Sequence, residues 1–451
     1  MPIRLRRATH IALLGALVLP PIARAQDPSL RIPPGAQLVR GLPSGIEIAG
    51  LSPHDTATLD AWRRVIVRGP GDHTDTLTLR ASGTFAAVTS GNVHIDSTIP
   101  IRGTWSRVDP YALLWSMQKT DTAITLLPGR IFLRLSSRGH TVDSATLTMR
   151  TAPTGIAGRW VQGDGFAGAF AAPASSGMHP AIILLHGSEG GDTTTARALA
   201  ESFAAQGYAA FALTYFAFGG RIPGIPTALV NIPVGMVDQV RNWMGAQPAV
   251  DTSRTALWGG SKGGEFALLI ASRRTWPRAV VACVPSDVVW TGFGRTPGLG
   301  ERLSSWSDSG SALPFIPYDR YDDALSDRVT ARIVHDRSRA LFADSVYAAI
   351  IHLERSRARI LMLGSDRDEV WPSGSMVRAL ADTMRAHGKA EQAEAHTYPM
   401  AGHGICGTGS SMSFQFERTH ATDAPPDAAA TAAAAADAWR RTVDFLRSAL
   451  R

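Results

Sequence analysis

The spacing of hydrophobic and polar positions changes once along the chain. From about residue 40 to 150 the period is two, as in Thr76-Leu77-Thr78-Leu79-Arg80, Val93-His94-Ile95-Asp96 and Ile131-Phe132-Leu133-Arg134-Leu135. Such runs, short and separated by turn residues, predict antiparallel strands that each bury one face, and a series of them predicts a β-sandwich over 40–150. From about 178 onward, apolar runs of strand length alternate with stretches of helix length: Ala181 to Leu185, Ala196 to Gln206, Ala209 to Leu213, Met236 to Gln247, Thr255 to Trp258. This alternation predicts an α/β unit over 178–451, a mostly parallel sheet with helices on both faces. The glycine-, alanine- and proline-rich stretch 151–177 reads as a linker, part of which is able to pair as an edge strand. Between about 290 and 356 glycines and aromatic residues interrupt the alternation, which predicts an insertion. The alanine run Ala428 to Ala436, followed by Trp439, Val443 and Leu446, predicts a closing amphipathic helix.

Composition adds an address and removes several partners. Arg4, Arg6 and Arg7 precede the apolar run Ile11 to Leu19, and Ala23-Arg24-Ala25 follows as a small-x-small site, so residues 1–25 read as a secretory signal peptide. The run is too short to span a bilayer, which takes roughly 20 residues. Gln26 rather than cysteine follows the site, so no lipid anchor and no stable membrane attachment is expected, and the mature chain is expected in the periplasm or the medium. Losing that segment removes four arginines and no acid, which lowers the formal charge of +7 to +3 (7 − 4), and nothing then asks for nucleic acid. Cys283 and Cys406 are the only cysteines. An exported protein is free to pair them, and pairing and two free thiols both stay open. Two cysteines, with neither an H-E-x-x-H motif nor clustered histidines, leave no metal site, and no cofactor is expected.

The candidate chemistry begins at Gly259-Gly260-Ser261-Lys262-Gly263, a G-x-S-x-G pentapeptide set between the strand Thr255 to Trp258 and the helical stretch Glu265 to Arg273. A serine forced into a strained strand-to-helix turn exposes its hydroxyl as a nucleophile. Its base would be His403, in the glycine-flanked turn Gly402-His403-Gly404 after the apolar segment Glu394 to Tyr398. Its orienting acid would come from the turn after the strand Arg359 to Gly364, where Asp368 is the first choice and Asp366 the alternative. Serine, acid, histidine is the chain order of α/β-hydrolases. An oxyanion formed on attack needs preorganised amides. The loop His186-Gly187-Ser188-Glu189-Gly190-Gly191 after a buried strand offers the Ser188 N–H, and the elbow offers that of Lys262. The Lys262 side chain itself reads as solvated at a helix N-terminus or as part of the site. In that glycine-rich loop neither G-x-x-x-x-G-K-[ST] nor G-x-G-x-x-G is present, which ranks nucleotide binding low.

Taken together these residues resemble the acyl-CoA thioesterase and bile acid-CoA:amino acid N-acyltransferase (BAAT) family over most of the mature chain. In the N-terminal half Gly103-Thr104-Trp105-Ser106-Arg107-Val108-Asp109-Pro110 through Leu113-Leu114-Trp115-Ser116-Met117 is similar to that family's N-terminal signature. In the other half the similar residues are Gly260-Ser261-Lys262-Gly263-Gly264-Glu265, Asp368 with Trp371-Pro372-Ser373, Gly402-His403 and Ala436-Asp437-Ala438-Trp439. The resemblance implies an immunoglobulin-like sandwich followed by an α/β-hydrolase domain, with Ser261 as nucleophile, Asp368 as acid and His403 as base. It implies a small-molecule acyl thioester or ester substrate, and serine rather than cysteine at the nucleophile favours water as the acceptor. An extra residue between Gly364 and Trp371 relative to the family's turn keeps Asp366 in play. Acyl-CoA is cytosolic whereas the signal peptide directs export, so a secreted carboxylesterase, peptidase or carbohydrate esterase is an alternative, as is a catalytically silent binding module.

Overall fold

The computed structural model describes residues 27–68, 74–87, 91–220, 222–294, 302–326, 328–408 and 427–451. The signal peptide lies outside the described residues.

The N-terminal part holds two sheets over one core. A seven-stranded sheet is built around the long hairpin Thr56–Arg68 and Thr74–Ala86, flanked by Arg130–Ser137 and His140–Arg150, and a three-stranded sheet joins Ser29–Arg31, Glu47–Ala49 and Val93–His94. The period of two works as the sequence requires: Arg130–Ser137 alternates strictly between buried and less buried positions. Its inward residues Ile131, Leu133 and Leu135 share a core with Leu59 and Leu79 of the hairpin and with Ile48 and Val93 of the smaller sheet.

The second part is an eight-stranded sheet whose strands we number β1 (Arg159–Gly163), β2 (Phe166–Ala171), β3 (His179–Leu185), β4 (Ala209–Thr214), β5 (Val250–Gly260), β6 (Ala279–Cys283), β7 (Arg359–Ser365) and β8 (Ala393–Tyr398). Their spatial order is β1-β2-β4-β3-β5-β6-β7-β8, antiparallel at the β1 and β2 edge and parallel from β4 to β8. β1 and β2 lie inside the stretch read as linker. β2 pairs between β1 and β4 with the small residues Ala167, Gly168, Ala169 and Ala171, and Gly168 has no room for a Cβ against the Ala212 carbonyl, which it would meet at 2.2 Å.

Central strands covered on both faces are apolar throughout rather than alternating. In β3, Ile183 and Leu185 belong to one core with Val237 and Val240 of helix α2 (Gly235–Gly245), while Ile182 and Leu184 belong to another with Ala200 and Phe203 of helix α1 (Thr193–Ala204). Successive side chains of one strand thus supply both faces. Helix α3 (Lys262–Arg273), which follows β5, and α5 (Ser373–Ala386) lie on the α2 side, and the closing helix α6 (Ala428–Ala449) lies on the α1 side. A further helix, α4 (Ala331–Leu341), belongs to the insertion. α6 also joins the two parts: its Ala432 and Ala436 are buried in the N-terminal core, and the Trp439 indole donates to the Gly41 carbonyl at 3.0 Å.

Candidate active site

Four loops at the carboxyl ends of β3, β5, β7 and β8 meet at one point, the edge where open parallel sheets place their ligands. β5 runs into Ser261, whose backbone sits at φ 55° and ψ −121°, a region that non-glycine residues avoid. The turn is tight enough to dictate two glycines: a Cβ at Gly259 would lie 2.0 Å from the Gly263 carbonyl oxygen, and one at Gly263 would lie 2.2 Å from that of Leu185. The Ser261 amide donates to the Cys283 carbonyl on β6 at 2.9 Å, which anchors the turn to the neighbouring strand.

The Ser261 hydroxyl lies 2.8 Å from His403 Nε2, and the other ring nitrogen, Nδ1, lies 2.9 Å from both carboxylate oxygens of Asp368. Asp368, 2% exposed, is held in turn by the amides of Val370 and Trp371 and by the Ser373 hydroxyl at 2.5 Å. Asp366 faces elsewhere and pairs with Arg378 at 2.8 Å. It is therefore Asp368 that His403 meets. Burial alone would push the His403 imidazole down; the charge and hydrogen bond of Asp368, with Glu369 and Glu189 behind them, outweigh it and hold its pKa above the ordinary value. Glu369 also accepts the His403 amide at 3.0 Å, and the sequence pattern did not single it out.

Cys283 and Cys406 form a disulfide with Cα atoms 5.8 Å apart. It ties the strand that anchors Ser261 to the loop that carries His403.

On the opposite side lies the glycine loop. The Tyr215 hydroxyl donates to the His186 carbonyl at 2.6 Å and the two rings stack 4.0 Å apart, which fixes the loop's start. The Gly187 amide donates to Glu189 Oε1 at 2.9 Å. The Ser188 amide makes no backbone hydrogen bond among the described residues, and the Lys262 amide, first in its helix, has no intrahelical partner. Outside the loop a cleft of about 790 Å³ opens between Glu189, Thr194, Phe218 and Ile222.

The Lys262 side chain is not solvated: it is 2% exposed, and its Nζ bonds Glu265 Oε1 at 2.6 Å beneath the elbow. The same oxygen accepts the Trp306 indole at 2.7 Å, and the Lys262 ammonium lies 5.3 Å from the centre of that ring. Burial pushes the lysine's pKa down and the glutamate's up, each opposed by the other's charge. Trp306 comes from the insertion, whose aromatic residues pack here against the base of the site. Trp290 stacks on Tyr318 and meets His335 of α4 edge-on, and His335 meets Trp371, which meets His403. A spacing of three between a lysine and a glutamate is common on solvated helices, so only the uniformly apolar stretch after Glu265 hinted that this pair is buried. Among the described residues no three acidic, histidine or cysteine side chains group as metal ligands, and no helix is long and apolar enough to cross a membrane.

This strand order, with a serine at the turn after the fifth strand and a histidine loop after the last, defines an α/β-hydrolase. Within that class the chain belongs to the acyl-CoA thioester hydrolase/BAAT family: residues 42–142 match its N-terminal region and residues 237–451 its C-terminal region. It is a hydrolase. Human acyl-coenzyme A thioesterase 1 is 24% identical over 374 residues, covering 80% of this chain and 82% of that protein. The mouse acyl-coenzyme A thioesterase 1 is 24% identical over 453 residues, covering 94% and 97%. Among solved structures, a putative dienelactone hydrolase from Klebsiella pneumoniae aligns with TM-score 0.39 and 17% identity over 65% of this chain and 98% of that one. Pyrococcus horikoshii acylaminoacyl peptidase aligns with TM-score 0.43 and 10% identity over 71% of this chain and 46% of that one.

Proposed function

We propose that this protein is an exported serine hydrolase that cleaves acyl thioesters or acyl esters through an acyl-enzyme. The observation that carries the reading is the unbroken chain Ser261 Oγ, His403 Nε2, His403 Nδ1, Asp368. In the first half-reaction Ser261 Oγ attacks the acyl carbonyl as its proton passes to His403 Nε2. Asp368 holds the imidazole in the tautomer with Nδ1 protonated and stabilises the imidazolium that results. The carbonyl oxygen becomes an oxyanion, for which the Ser188 and Lys262 amides are the donors. Collapse expels the thiolate or alkoxide, protonated by His403. Water, deprotonated by His403, then attacks the ester on Ser261 and releases the acid.

The signal peptide is the support for export, and the Cys283–Cys406 disulfide fits an oxidising compartment. Matched acyl-CoA thioesters and p-nitrophenyl esters of increasing chain length, given to the mature protein from Gln26 and to its Ser261→Ala variant, test the reading. Turnover that the variant loses by about a thousandfold or more supports it. Equal rates for the two proteins would sink it. CoA turnover alone and simple-ester turnover alone separate the family's substrate from a secreted esterase's.

A further inference from the structure

Two side chains that ought to make the surroundings of Ser261 electropositive do not. Lys262 turns its ammonium inward to Glu265, 2.6 Å away. His186 donates from Nδ1 to the Gly187 carbonyl at 2.8 Å, its Nε2 is buried with no partner among the described residues, and burial lowers its pKa, which disfavours the charged ring. The N-terminus of α1, which borders the cleft and would otherwise attract an anion, is already satisfied by its own cap: Asp192 Oδ1 accepts the amides of Thr194 and Thr195 at 2.9 Å each.

What remains on this side is Glu189. The Gly187 amide fixes its Oε1, and a Cβ placed at Gly187 would lie 2.5 Å from its Oε2 and 3.4 Å from the Ser261 Cβ. The carboxylate thus stands one side chain's width from Ser261, on the wall of the cleft that opens outward past Thr194, Phe218 and Ile222. Among its described lining residues the charged groups are Glu189 and Asp192. We propose that Glu189 is a specificity-determining residue, which makes the glycine-loop side of the site a subsite for a neutral or cationic substrate group and disfavours an anionic one. The inference rests on the reading of Ser261 as nucleophile. It also narrows the substrate class, because whichever end of the substrate lies along this wall, a group dense in phosphates there is the one it repels most.

The test uses the mature protein and two series of thioesters. In the first the acyl group is constant and the leaving group is thiocholine, N-acetylcysteamine or 3-mercaptopropionate, hence cationic, neutral or anionic. In the second the charge is moved to the far end of the acyl chain. Glu189→Gln keeps an oxygen to accept the Gly187 amide and removes the charge, so the loop stays in place. In at least one series the wild-type ratio of kcat/KM, cation over anion, is expected to fall about tenfold in the variant. The neutral member serves as the reference, because losing the Glu189 charge also lowers the His403 pKa and acts on all three members alike, so ratios rather than rates are read. Raising salt from about 0.01 M to about 0.5 M should compress the wild-type ratio in the same direction, a check that needs no variant. Ratios that neither the variant nor salt alters in either series would overturn the proposal while leaving the serine hydrolase reading intact. Turnover that Ser261→Ala does not reduce would remove that reading instead.

Discussion

At the scale of single residues the site's function is a matter of which proton sits where. Asp368→Asn should cost about 10⁴ in kcat by leaving His403 in the wrong tautomer, whereas Asp366→Asn should stay near wild type, since Asp366 meets Arg378 instead. Steady-state kinetics on one ester decides between them. In the proposed mechanism His403 has to be neutral to take the serine's proton, and its pKa is held above the ordinary imidazole value. The acid limb of kcat/KM should therefore lie above about pH 6.5, with activity lost as pH falls through it, and a limb below that value would count against the arrangement. Ser261, Asp368 and His403 were legible in the sequence because each stands in a turn at a strand end, with glycines or Trp371-Pro372 marking the place. Asp366 could be set aside only by geometry, since which of two carboxylates in one turn points inward depends on Ser373 and the Val370 and Trp371 amides. Glu189 and Glu369 carry no pattern at all, since they act through space from loops that fold separately.

At the scale of elements, the elbow helix depends on a charge pair that no periodicity reveals. Lys262→Met leaves Glu265 charged and uncompensated in the core, which should cost about 3–5 kcal/mol in denaturant unfolding, while replacing both by apolar residues should recover much of the loss. Gly263→Ala should destabilise by about 3 kcal/mol or more, because its methyl group meets backbone rather than a side chain able to move. The disulfide acts on elements as well: Cys283→Ala with Cys406→Ala unties the histidine loop from β6, and the expected result is a lower kcat for esters together with a lower Tm. The sequence placed the strands from β3 to β7 by their apolar runs, whereas β8 is an edge strand of mixed residues, Ala393-Glu394-Ala395-His396-Thr397-Tyr398, none of them buried. It read the stretch that holds β1 and β2 as a linker with part of it able to pair as an edge strand, which β1 does; β2 was hidden because its alanines and glycine have little strand propensity, and its pairing is decided by the space beside β4.

For the whole molecule, the change of period near residue 150 to 178 was enough to separate a sandwich from an α/β unit, because period follows from which faces are buried. It was not enough to say how the two units meet, which is decided by the alanines of α6: their small side chains let the helix lie against both cores. Trp439 closes the join on Gly41, where a Cβ would come within 3.0 Å of the indole. A chain made in order, from its first residue to its last, then has neither core complete when the sandwich strands emerge, nor when the serine turn does. Both wait for the final 25 residues (427–451) to be delivered. A protein clipped at residue 426 should lose the cooperative melting of both units, and a synthetic copy of the last helix added in trans should restore it. Such a molecule ripens from its tail, which keeps the hydrolase unfinished, and so inactive, until its closing helix has been made.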